Sequence, residues 1–285
     1  LYSSAASDVY KRQELGLEFE CETIDVRYDP RRRGAYAKEF HKLRGRKGLT
    51  MEDAVRLLKT TTYFGPMMVH MEDADGYLGG ISHNYPDIVK PCLQTIGPAI
   101  DTHRIVGMYM MTVNGQLMFI GDATINIYPD SRTLAEIAVQ TAKVARRFGV
   151  KPKVAMLSFS NFGTSGEMRT DRIEEAVRIA RELDPGIIID GPMQADTALI
   201  EEIQGNYPFM EFEGAANVLI CPNLASANIA YKLLQRIAGA EMTGPILEGL
   251  AKPAHVLQRD DSVREVVHMA AICAVDAQRH STQKL

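Results

Sequence analysis

Near the end of the chain, in the stretch AKPAHVLQRDDSVREVVHMAAICAVDAQ (residues 251–278), apolar residues recur at helical spacing. Val266, Val267, Met269, Ala270, Ile272, Cys273 and Ala277 form the stripe that such a helix turns toward a core. Ser262 and Glu265 stand at its start in the spacing of a capping box, where each side chain satisfies the other residue's orphan backbone N–H. Just before them runs Gln258, Arg259, Asp260, Asp261. An arginine ahead of a helix N-terminus makes a good anion site, because the guanidinium fork and the free N–H groups point at one place. A surface ion pair of Arg259 with Asp260 or Asp261 accounts for the same residues equally well.

Elsewhere the pattern alternates between strand and helix. Residues 19–26 alternate as a strand. A helix rich in Lys and Arg is expected over 34–47, and another opening at Thr50, whose early Glu52 and Asp53 suit a helix start. Residues 67–70 are a short apolar run, 76–81 a second one loaded with glycine, and 87–96 a helix. From Arg104 the texture changes. Residues 105–112 and 116–120 flank Asn114-Gly115, a strong hairpin signal. Thr133 with Glu136 has the spacing of another capping box, for a helix to Arg147 that stops at Gly149. Strands at 154–159, 187–189 and 217–220 then alternate with helices at 170–183, from Asp196 to Ile203, and up to Arg236.

Successive strand–helix units whose strands are apolar on both faces call for a parallel sheet covered by helices on each side. The fold class is α/β. The inserted hairpin divides it into two lobes, residues 14–103 with 253–285 and residues 104–252.

The chain has 285 residues, a net charge of −4 and 24% charged residues, and no basic cluster beyond residues 31–33. That balance argues against a nucleic-acid partner. No apolar run approaches the ~20 residues that span a membrane, and none reads as a signal peptide. Cys21, Cys92, Cys221 and Cys273 lie far apart, as reduced thiols of a cytoplasmic protein do. The first thirteen residues, LYSSAASDVYKRQ, lead into nothing that follows and are expected to be a non-native scar. The native chain would then start abruptly at Glu14.

In an open parallel sheet, ligands bind beyond the carboxyl ends of the strands. The first such end, residues 158–166, carries Ser158, Ser160, Asn161 and Gly163, residue types that can present N–H and hydroxyl donors to phosphate oxygens. Gly and Ser are also ordinary constituents of such loops. Asp190 and Asp196 flank a tight turn, but with no His nearby Asp196 is better explained as a helix cap. His70, His83, His103, His255 and His268 are scattered, so no metal site is expected. There is no GxGxxG after a strand, no P-loop and no GxSxG, which removes nicotinamide and nucleoside-triphosphate chemistry from this stretch of chain.

The motifs FHKLRGRKGLT, YFGPMMVHMEDADGYLGGISHNYPDIVKPCLQTIG, VAMLSFSNFGTSG, IDGPMQADTAL, ANVLICPNLASANIAYKLLQRI and GPILEGLAKPAHVLQR together resemble the phosphotransacetylase (phosphate acetyl/butyryltransferase) family, over residues 29–278. The resemblance implies a two-lobed α/β/α fold like that of isocitrate and isopropylmalate dehydrogenases. It places acetyl-CoA or coenzyme A, with phosphate, in the cleft between lobes. Family members begin with a strand–helix–strand unit that has no counterpart here, so the first lobe is expected to be truncated.

The family's catalytic positions carry over singly. Its loop Arg is Arg259 and a further Arg is Arg44. Its third Arg is Lys90, which keeps the charge and loses the bidentate fork. Its Asp is Glu265 and its Ser is Gln258, whose amide does not match a hydroxyl in size or geometry. The loop 158–163 would contribute to ligand binding. With three positions altered, the resemblance narrows to the phosphotransacetylase-like C-terminal domain of hybrid NADP-dependent malic enzymes. That implies a regulatory, oligomer-forming module sensing acetyl-CoA, with NADP and a divalent metal confined to an upstream catalytic region. An active phosphate acetyltransferase is the alternative.

Overall fold

The computed structural model describes Gly16 and residues 24–100, 102–163 and 168–282; the expected scar and most of the expected strand at 19–26 lie outside them. Val26 itself falls in a short 3-10 turn, Val26–Tyr28. The chain then runs through α1 (Pro30–Arg44), α2 (Met51–Leu57), α3 (Thr61–His70), β1 (Tyr77–Gly79) and α4 (Tyr85–Thr95). It continues with β2 (Val106–Val113), β3 (Gln116–Gly121), α5 (Ser131–Arg147), β4 (Val154–Leu157), α6 (Met168–Leu183) and β5 (Ile189–Met193). It ends with α7 (Ala195–Leu199), α8 (Glu201–Gln204), β6 (Val218–Ile220), α9 (Leu224–Ile237), β7 (Glu241–Glu248), β8 (Ala254–Val256) and α10 (Val263–Thr282).

The strands form two sheets. Six lie in the order β5-β4-β6-β3-β2-β7, and β1 pairs with β8 in parallel. The larger sheet is mixed rather than wholly parallel. β5, β4, β6 and β3 run parallel, while β2 is antiparallel to both β3 and β7. The hairpin accounts for this, because Asn114 (φ 50) and Gly115 (φ 77) take the positive dihedrals of a tight two-residue turn.

Alternation along each strand sends neighbouring residues to opposite faces. Phe119, Val154, Met156, Val218 and Ile220 pack with α5 and α6 residues such as Leu134, Ile137, Ile173 and Val177. Met118, Ile120, Ala155 and Leu219 pack on the other face with Ala198, Ala227 and Tyr231. Both faces are apolar because both are covered. The first helices hold a separate core around Tyr36, Phe40, Phe64 and Met67. Helix α10 is shared: Met269 and Ile272 join the larger sheet's core, while Cys273 Sγ lies 3.6 Å from the Tyr77 carbonyl oxygen of β1.

Several local expectations change. Helix α1 starts earlier than expected because Pro30 occupies its first turn behind Asp29, whose carboxylate accepts the Arg32 N–H at 3.0 Å. Residues 67–70 are the end of a helix, α3. The capping box expected at Thr133 and Glu136 does not form. Asp130, three residues before Thr133, caps α5 and accepts the Thr133 N–H at 2.8 Å. Glu136 instead pairs with Arg132 one turn back, at 2.9 Å. Asp196 lies in the first turn of α7 rather than at its cap, and α7 ends at Leu199 before a separate turn, α8.

Gly80 fixes how β1 meets the chain beyond β8. Its φ is +141°, and a Cβ there would lie 2.1 Å from the Leu257 carbonyl oxygen. Leu257 in turn donates its N–H to the Gly79 carbonyl at 2.9 Å. Gly80→Ala is expected to cost about 1–3 kcal/mol from backbone strain alone, read as a lowered urea midpoint. An unchanged midpoint would refute the close approach.

Candidate functional site

The loop before α10 has the expected helix start. The Ser262 N–H donates to Glu265 Oε2 at 2.6 Å, and the Glu265 N–H donates to Ser262 Oγ at 3.3 Å. The Glu265 carboxylate is therefore committed to the helix N-terminus. Its outer side borders a groove of about 390 Å³ shared with Thr243, Arg264 and His268. Arg259 is exposed, and neither aspartate of the bland alternative pairs with it: Asp261 accepts the Gln258 backbone N–H at 2.7 Å. A guanidinium held ahead of a capped helix, with its fork unspent, is suited to a phosphoryl or carboxylate oxygen.

Gln258 turns inward. Its Nε2 donates to the hydroxyl of Tyr109 on β2, and Tyr109 stacks on Tyr231 of α9 with ring centroids 4.3 Å apart. Burial, then the neighbouring Tyr231, push the Tyr109 phenol well above its ordinary range, so it stays protonated. Beside these rings, Tyr85 at the start of α4 donates to Thr124 Oγ1 at 2.8 Å. Thr124 is held by Asp122, a buried carboxylate at the end of β3. Asp122 accepts N–H groups from Gly107, Thr124, Ile125 and Asn126 and from the Asn126 amide.

The other expected site residues are placed as follows. Arg44 ends α1, half-buried, and its charge bears on the Tyr63 phenol, whose hydroxyl donates to Gln94 on α4 at 2.8 Å. Lys90 is exposed one turn before Gln94 on the same helix. No hydrogen bond or ion pair joins Arg44 or Lys90 to Arg259. In the loop after β4, Ser158 gives its N–H to the Met193 carbonyl at 2.8 Å. Ser160 and Asn161 are buried. Asn161 donates to Gln194 Oε1 and to the Tyr207 hydroxyl, both at 3.1 Å, and accepts the Gln194 N–H at 2.7 Å. Its side chain welds the loop to the end of β5, leaving Asn161 no amide for a ligand. Phe162 (φ 46) and Gly163 (φ 74) take left-handed conformations, and residues 164–166 of the expected phosphate loop lie outside the described residues. Among the described residues no cluster of His, Cys, Asp and Glu could hold a metal ion.

Sequence reasoning missed Tyr85, Tyr109, Asp122, Thr124 and the burial of Asp261. Tyr109 sits in an apolar strand run that gave no sign of a functional hydroxyl. The DATIN string after a strand end was the one available hint of a polar knot.

An α/β protein with helices on both faces of its main sheet, and its polar knot and exposed arginine gathered beyond strand ends, has the architecture of a small-molecule enzyme or binding domain. The comparisons make the class specific. Residues 4–274 match the family model described as "Phosphate acetyl/butaryl transferase", and the chain belongs to that family. It is 37% identical to a phosphate acetyltransferase of Corynebacterium glutamicum, over 93% of this chain and 80% of the relative. It is 36% identical to an NADP-dependent malic enzyme of Salmonella typhimurium, over 93% of this chain and 36% of that protein. A solved phosphotransacetylase from Streptococcus pyogenes superposes with a TM-score of 0.89 at 34% identity, covering 97% of this chain and 85% of that one.

Burial, with Glu265 and Asp260 nearby, raises the Asp261 carboxyl to about 6, against the hydrogen bond from Gln258. An unfolded aspartate titrates near ~3.9. The folded state therefore holds this proton longer, and Asp261's contribution is full below ~3.9 and lost as pH rises through about 6. Asp261→Asn keeps an acceptor for the Gln258 N–H and removes the charge. Its Tm is expected to exceed that of wild type above pH 6, with the gap closing toward pH 4. Parallel curves across that range would contradict the assignment.

Proposed function

We propose that this chain binds acetyl-CoA, with its phosphoryl groups held by Arg259, Arg44 and Lys90, and that it does so without efficient acyl transfer. The observation that carries this reading is the state of the two altered catalytic positions. Attack of the coenzyme A thiol on an acyl phosphate needs a base for a thiol of pKa near ~8.5. It also needs a donor where the carbonyl oxygen gains charge, and losing one such donor costs about 10²–10³ in rate. Here Glu265 is occupied in the capping box and Gln258 is turned onto Tyr109.

On this reading the chain is the phosphotransacetylase-like, regulatory and oligomer-forming part of an NADP-dependent malic enzyme. Oxidative decarboxylation of malate, with NADP and a divalent metal, would be the work of a separate region. The lobes are residues 14–103 with 253–285 and residues 104–252, and the setting is cytoplasmic. Buried thiols support that setting: burial pushes Cys221 up to about 12 and Cys273 up to about 11. No helix among the described residues is long and apolar enough to cross a membrane.

The second reading is an active phosphate acetyltransferase, with Glu265 as base and Gln258 as oxyanion donor. The names of relatives favour it, since six phosphate acetyltransferases match the chain at 36–39% identity. One pair of measurements separates the two. Calorimetry with acetyl-CoA is expected to give saturable heat, reduced at least tenfold in affinity by Arg259→Ala. Acetyl phosphate with coenzyme A is expected to give no turnover near the ~10 s⁻¹ of an ordinary enzyme. Turnover at that level, lost in Glu265→Ala, would establish the transferase.

A further inference from the structure

Two hydrogen bonds reach the larger sheet at the same place from segments outside residues 104–252. Tyr85 Oη donates to Thr124 Oγ1 at 2.8 Å, and Thr124 donates onward to the Gly107 carbonyl at 3.3 Å. Gln258 Nε2 donates to Tyr109 Oη. Gly107 and Tyr109 lie two residues apart on β2, so the two bonds meet the same stretch of strand. Burial pushes both phenols upward, and both stay neutral hydrogen-bonding groups through the physiological range. A serine at 258, which the resemblance gives as the family's residue, would end well short of where the glutamine amide reaches.

We propose that the Tyr85–Thr124 and Gln258–Tyr109 bonds act together as a latch that holds the two lobes closed over the cleft. Gln258 is then a positioning residue: its amide is spent on closure and not on a reacting carbonyl. Residues 97–99 and 249–251 form the crossing about which such a motion turns. There Ala99 donates to the Gly249 carbonyl and Ala251 to the Gly97 carbonyl, each at 2.9 Å. Gly249, at φ +96°, lies where a Cβ would stand 2.8 Å from the Arg104 carbonyl oxygen, just past the first crossing segment. The latch rests on the reading that ligand enters between the lobes. Its test contains no ligand, so its failure is distinct from a failure to bind acetyl-CoA.

Amide hydrogen exchange on the whole chain separates a shared latch from two local contacts. The reporters are residues 124–126, whose N–H groups lie on Asp122, and residues 257–261, where the Leu257 and Gln258 N–H groups are bonded. Gln258→Leu is expected to speed exchange at 124–126, which Gln258 does not touch, by about 2–10-fold, the shift from one net hydrogen bond. Tyr85→Phe is expected to do the same at 257–261, and Thr124→Ser, which keeps the hydroxyl, to behave as wild type. Strand β4 should not change in any variant. Effects confined to each variant's own neighbourhood, no effect, or an equal rise in β4 would each overturn the latch.

Discussion

The site depends on one buried carboxylate. Asp122 ends β3 and gathers five N–H groups, from the start of β2 and from the turn that follows β3. Without it, the N–H groups of Gly107, Thr124 and Asn126 would have no common partner. The close approach leaves no room for a side chain at Gly107, where a Cβ would lie 1.9 Å from Thr124 Oγ1. Hydrogen bonds to a charged group contribute about 1.5–3 kcal/mol each, whereas removing a carboxylate from water costs several kcal/mol. Burial is the larger effect on Asp122, whose pKa is raised in spite of its donors. The carboxylate also imposes a geometry: it fixes where Thr124 meets Tyr85.

The elements that rest on periodicity and short-range turn chemistry were legible in the sequence. The hairpin at Asn114-Gly115, the helix from residue 131 to 147 and the capping box at Ser262 and Glu265 all depend on neighbours within four positions. What failed was the choice between local competitors. Asp130 displaced Thr133 as the cap of α5 because an ionised side chain at a helix N-terminus adds a favourable charge to the same hydrogen bond. The mixed character of the larger sheet was half visible. A hairpin must be antiparallel, but its pairing with β7, more than a hundred residues on, leaves no local mark.

The site was less legible than the fold, for the same reason. Arg259 stands where an anion site was expected, ahead of a helix N-terminus. In the loop 158–163, the Asn161 amide is already bonded to Gln194 and Tyr207. Composition shows which donors a loop contains; only the fold shows which are already used. Tyr109 and Gln258 are separated by 149 positions and joined by one hydrogen bond, a relation invisible to any window along the chain.

Hydrogen-bond partners also decide which side chains of the loop before α10 remain free. A transferase loop must keep its donor and its carboxylate free until the transition state, so both are costs to the resting protein. In this chain the polar groups of the loop before α10 already have partners: the Glu265 carboxylate caps α10, and the Gln258 amide meets a neutral phenol. The third carboxylate, Asp261, is half-withdrawn from water and binds the Gln258 N–H. Each bond that orders the loop removes a group from possible chemistry. Arg259, exposed and outside those bonds, is the member of the loop that ordering leaves available to an anionic ligand.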